Sequence, residues 1–138
     1  MSRRSDQRRD AVFALYQHDV TDRPLDELFE PTAAPFTRAL AHATVDNGEE
    51  LDELIERHAH GWTLDRIAPL ERAILRAALL EMTHPEYVEG EKPIPPEGAI
   101  VEAVEIAKAF CGAEAPGFVN GLLGSVLQAS RPNGGARG

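Results

Sequence analysis

The stretch APGFVNGLLGSVLQ (115–128) decides how the rest of the chain is read. Its apolar residues Phe118, Leu122, Leu123, Val126 and Leu127 fall at i, i+4, i+5, i+8 and i+9, the spacing of a single helical stripe and not the alternation of a strand. Asn120-Gly121, elsewhere a turn signal, therefore belongs to the first turns of a helix whose leading break is Pro116-Gly117. A glycine inside a helix costs roughly 1 kcal/mol relative to alanine, and Gly124 repeats the cost one turn later. Such a sequence is expected where another helix or a ligand comes close to the backbone.

The same spacing extends upstream. Val12, Leu15, Tyr16 and Val20 share a helical face, with Ser5 as its expected N-cap. LDELFE (25–30) adds a turn before Pro31 and Pro35, and a long helical pattern runs from Phe36 to about Ala59, interrupted but not ended at Gly48. WTLDRI (62–67) reads as one short helix capped by Thr63. Pro69 takes the first position of LERAILRAALLEM (70–82), a segment apolar on nearly every face and so expected at the middle of a bundle. HPEYVEGEKPIPPEG (84–98) reads as an exposed, partly extended loop. AIVEAVEIAKAF (99–110) restores helical spacing, and residues 129–138 read as a flexible tail. With no segment of period two, the expected fold is all-α, six or seven helices, in one domain over 1–128.

Composition narrows the function. The single cysteine, Cys111, excludes an intramolecular disulfide framework. No run approaches the roughly 20 apolar residues of a membrane span, and the N-terminus has no signal-peptide core, so a cytoplasmic protein is expected. Four arginines against one aspartate give residues 1–9 a charge of +3 within a chain of −9, leaving −12 on the remainder. An acidic body repels nucleic acid, while a basic arm grips phosphates locally or serves as a solubilising tail; composition leaves both open.

Catalytic chemistry is hard to find. Gly117, Gly121 and Gly124 follow no strand and make no dinucleotide fingerprint, there is no P-loop, and no histidine pair has the i, i+4 spacing of a zinc-binding helix. The acids between Glu49 and Glu56 read as a solvated helix face. No catalytic residue, metal site or cofactor is expected. What remains is binding: Arg3, Arg4, Arg8 and Arg9 for phosphates, and Phe118 either as a base-stacking aromatic or as a core residue.

RRDAVFALY, WTLDRI, LERAILRAALLE, EAVEIAKAF and above all PGFVNGLLGSVL, in that order, resemble the NusB family of transcription antitermination factors from about Arg4 to Leu127. The resemblance implies two small helical bundles packed together, no enzymatic activity, and an RNA ligand, the boxA element of nascent ribosomal-operon transcripts. It also implies a protein partner, the ribosomal small-subunit protein NusE, and a role in assembling the antitermination complex on RNA polymerase. Matched residue by residue, Arg4 and Arg8 take the family's basic N-terminal positions near RNA, with Arg3 and Arg9 extending the run. Phe118 takes the position of its base-contacting aromatic, with Asn120 and Gly121 continuing that motif, and Arg76 matches a basic position also assigned to RNA. Tyr16 and Glu71 match positions directed toward NusE. Some relatives form homodimers that cover the arm, so a non-catalytic helical module or homodimer without RNA binding is the alternative. A NusB-like domain also precedes some rRNA methyltransferases, but the chain ends too soon after its last helix for a cofactor-binding domain to be expected.

Overall fold

Proline takes the first or second position of four of the six α-helices, its missing N–H falling where a first turn has no partner to offer. The structure is a computed structural model describing residues 3–88 and 93–131. The helices are α1 Arg4–Thr21, α2 Pro35–Asp46, α3 Gly48–His58, α4 Pro69–Thr83, α5 Pro96–Phe110 and α6 Ala115–Ser130. Short 3-10 turns at Leu25–Leu28, Leu64–Arg66 and Pro85–Tyr87 join them, and no strand occurs among the described residues.

As its apolar faces require, α4 is the hub: it packs against α1, α2, α3, α5 and α6. Ala73, Ile74, Leu75, Ala77, Ala78, Leu79 and Leu80 are all buried, and Leu75, Leu79 and Leu80 are wholly inaccessible. An α1–α2 pair and an α5–α6 pair contact this hub, and residues from all six helices join one hydrophobic cluster.

Four local readings change. The pattern from Phe36 to Ala59 is two helices, broken at Asn47, whose side-chain amide donates to the Ala43 carbonyl at 2.8 Å and so competes with the helix ladder. Ser5 lies inside α1; Arg3 holds the N-cap position without a side-chain bond. Only Leu64–Arg66 of WTLDRI is helical, as a 3-10 turn. Ala129 and Ser130, expected in the tail, complete α6. Residues 132–138 of that tail and 89–92 of the acidic loop lie outside the described residues.

Candidate nucleic-acid and partner interface

Helix α6 carries Val119, Leu122, Leu123 and Val126 into the core, with Phe118 packed at its edge, half-buried. Asn120 and Gly121 are helical and exposed. A Cβ built on Gly117, Gly121 or Gly124 would meet nothing within 4 Å beyond its own helix and chain neighbours, so these glycines are not there to admit another helix of this fold. Gly117, Gly121 and Gly124, at i, i+4 and i+7, leave an open strip of backbone on one face.

Two surface hollows border Phe118, the smaller of them along the strip. The larger, about 590 Å³, is lined by Trp62, Arg66 and Glu71 with the Gly112–Ala115 turn and Phe118. The smaller, about 270 Å³, is lined by His58, His60 and Trp62 with Gly117, Phe118 and Gly121. Glu71 sits half-buried in the first turn of α4; burial raises its pKa above the usual carboxylate value, and it forms no ion pair with any described residue. A partly desolvated, unpaired carboxylate facing a hollow is suited to receive a cation from a partner. Tyr16 is half-buried on α1 against the core cluster.

The N-terminal arginines divide. Arg3 is exposed, and Arg9 reaches Asp6 at 3.1 Å on an exposed face. Arg4 lies 4.2 Å from the Phe36 ring centroid and donates to Gln7 Oε1 at 3.0 Å. Arg8 turns inward: it is 6% exposed and committed to Glu81 and Glu102, because its helical position faces α4 and α5. Burial opposes its charge, but the Glu81 and Glu102 carboxylates outweigh that and raise its pKa. Arg76 is likewise engaged, its Nε donating to Asp52 Oδ1 at 2.7 Å with Asp19 Oδ2 at 3.5 Å. Two of the side chains named for RNA from the sequence, Arg8 and Arg76, are thus engaged with carboxylates here, Arg8 buried between helices and Arg76 half-buried on α4. Arg4 and Arg8 line a separate hollow of about 450 Å³ with Phe36, which shares no lining residue with the two beside Phe118.

Sequence reasoning passed over Trp62, Arg72 and the acids that answer the buried arginines. Arg72 donates to Asp19 Oδ2 at 2.9 Å and to the carbonyls of Leu64 and Ile67 at 3.0 and 2.9 Å, pinning the turn that follows Trp62. The available signal was Arg72 and Arg76 one turn apart on an otherwise apolar helix. Among the described residues no cluster of histidine, cysteine or acid side chains is arranged to hold a metal ion, and no helix is long and apolar enough to cross a membrane.

The chain matches the NusB family over residues 5–128. It is 42% identical over 128 residues to the transcription antitermination protein NusB of Halalkalibacterium halodurans, covering 88% of this chain and 91% of the relative. It is 40% identical to that of Bacillus subtilis, covering 86% and 90% respectively. Among solved structures it is similar to NusB of T. maritima, with a TM-score of 0.81 and 28% identity over 96% of this chain and 95% of that one. It is also similar to a chain in a crystal structure of antitermination factors NusB and NusE in complex with dsRNA, with a TM-score of 0.76 and 26% identity over 91% and 96%. An all-helical fold organised on α4, the FVNG entry to α6 and these matches along nearly the whole length agree: the chain belongs to the NusB family.

Proposed function

We propose that this chain is a non-catalytic, cytoplasmic RNA-binding antitermination factor that, with NusE, binds the boxA element of nascent rRNA-operon transcripts and helps assemble the antitermination complex on RNA polymerase. The observation that carries the reading is that Phe118 and Glu71 line one hollow. The residue matched to base contact and the residue matched to NusE contact thus border the same surface, as a composite protein–RNA site requires. Family membership and a similar chain crystallised with NusE and dsRNA support it further. In a chain of net charge −9, a local basic arm grips phosphates at one place and a stacking aromatic suits an element with unpaired bases. Arg3, Arg4 and Arg9 then serve the phosphates, Phe118 a base, and Asn120 and Gly121 the backbone approach, while Arg8 and Arg76 hold the helices that carry them.

The test is a titration of labelled leader RNA containing boxA with the chain, alone and with NusE, followed by fluorescence anisotropy. The expected result is preference for boxA over a scrambled RNA, strengthened by NusE. Equal binding of both RNAs, unaffected by NusE, would overturn the assignment.

A further inference from the structure

Trp62 is 53% exposed, and among the described residues it and Phe118 alone line both hollows on the α6 face. Tryptophan carries a large apolar area and is favoured at interfaces, where that area becomes covered. The chain holds it outward by a defined turn. His60 and Gly61 both take positive φ, 49° and 94°, a pair of left-handed residues of which one is not glycine, and the Trp62 amide donates to the Ala59 carbonyl at 3.3 Å.

The flanks of the turn are tied down. His58 Nδ1 lies 2.7 Å from Ser125 Oγ on α6, and the Arg72 guanidinium holds the carbonyls of Leu64 and Ile67. The exposed ring is therefore supported from α4 and α6, and a ligand meeting it has little loop ordering left to supply.

Charge selects the class of ligand. Among the described residues no carboxylate lines the smaller hollow, although the chain as a whole stands at −9. Exposed Arg57 and Arg66 flank the histidine–tryptophan turn in sequence, beside Glu56 and Asp65, and Arg66 lines the larger hollow together with Glu71 and Glu114, so the carboxylate-free side of Trp62 is the smaller hollow. Flat rings beside cations and an uncovered strip of helix backbone suit an unpaired nucleotide strand, whose bases stack while its phosphates stay near the arginines.

We propose that Trp62 is a second base-stacking position for single-stranded RNA, extending the track from Phe118 across the His58–His60 hollow toward Arg57 and Arg66. The proposal rests on the RNA-binding reading above and adds to it a nucleotide that neither the arm nor Phe118 accounts for.

Trp62 is the only tryptophan in the chain, so its emission reports on this position alone. The full chain is titrated with a labelled single-stranded boxA leader oligonucleotide, recording label anisotropy and Trp62 emission together. Trp62→Ala and Trp62→Phe are then titrated by anisotropy, each checked for folding by a melting curve. The expected result is a change in Trp62 emission with the same midpoint as the anisotropy, affinity lowered roughly five- to a hundred-fold in Trp62→Ala, and most of it retained in Trp62→Phe. RNA that binds with no change in emission, and Trp62→Ala binding like the parent, would overturn the second position and leave the RNA reading standing. No binding of the RNA by the parent, with or without NusE, would overturn both. A change in emission on adding NusE but not RNA would assign Trp62 to a protein contact and overturn the proposal.

Discussion

Arg8 and Glu81 meet as a two-pronged ion pair between α1 and α4: Nε donates to Oε1 at 2.5 Å and Nη2 to Oε2 at 2.9 Å, with the side chains 8% and 6% exposed. Glu102 of α5 approaches Arg8 Nη1 at 3.3 Å, and the Phe36 ring lies 5.2 Å from the guanidinium, so one side chain joins α1, α2, α4 and α5. Breaking a buried pair by removing one partner leaves the other charge uncompensated, which typically costs about 3–5 kcal/mol. Arg8→Ala is expected to lose about that much in urea unfolding, whereas Arg8→Met with Glu81→Leu recovers much of it by removing both charges. A loss below about 1 kcal/mol for Arg8→Ala would show that water reaches the pair and relieves it.

The pH dependence of one tether follows from its hydrogen bonds. His84 Nε2 lies 2.6 Å from Glu50 Oε2, and its ring stacks on Tyr87 with centroids 4.7 Å apart. The Glu50 hydrogen bond, opposed by burial and aided by Glu86, raises the His84 pKa above its usual value. Because the folded state favours the charged imidazole, the contribution is fully present below the unfolded histidine pKa of about 6.5 and is lost as pH rises through the raised folded value. Glu50→Gln is therefore expected to lower the melting temperature more at mildly acid pH than at mildly alkaline pH. The same deficit at both pH values would mean that the tether is not ionic.

Glu71→Lys is expected to weaken NusE binding without unfolding the chain, since Glu71 faces a hollow and pairs with no described residue. A carboxylate in a first turn gains roughly 0.3–1 kcal/mol from the helix dipole, so a purely structural role predicts reduced stability with NusE affinity unchanged. Glu71→Gln supplies a pH control. Burial raises the folded pKa, so the acid's contribution is most favourable below the unfolded carboxylate pKa of about 4.3 and declines as pH rises toward the folded value. The glutamine variant should gain thermal stability relative to the parent across that window. Isothermal titration with NusE and melting curves at two pH values separate the outcomes.

Most of the backbone was legible because apolar spacing is a local signal: α1, α4, α5 and α6 follow from residues three and four apart, and the apolar faces of α4 dictate its central place. The break at Asn47 is not legible from apolar spacing, because it depends on a side chain taking a carbonyl from its own helix. The inward turn of Arg8 was illegible for a different reason. Its partners lie 73 and 94 residues away, and only tertiary packing reveals that a basic arm contains one buried member. Trp62 carried a cue in Gly61, but whether an aromatic after a turn points to the core or to water depends on what α6 leaves open beside it.

The arm and the FVNG aromatic should fail in different ways. Arg8 is committed to Glu81 and Glu102, and replacing the other three arginines of the arm, Arg3, Arg4 and Arg9, with alanine should weaken binding to any single-stranded RNA. Each lost contact should flatten the log–log salt dependence by roughly 0.7. Alanine at Arg4 also removes its stacking on Phe36, at 4.2 Å, so a melting curve must accompany the titration. Phe118→Ala should leave the slope nearly intact while costing roughly 1–3 kcal/mol of binding if a stacked base is lost. Phe118 is half-buried against the core, and complete truncation of a core phenylalanine costs about 3–5 kcal/mol of folding stability. A ring shared between core and ligand should therefore lose less stability than that, and lose affinity as well. Titrations at several salt concentrations, below each variant's melting point, decide between these outcomes. An arm variant with unchanged affinity and slope would make the arginines bystanders. A Phe118→Ala variant that melts early yet binds normally would make FVNG a packing motif.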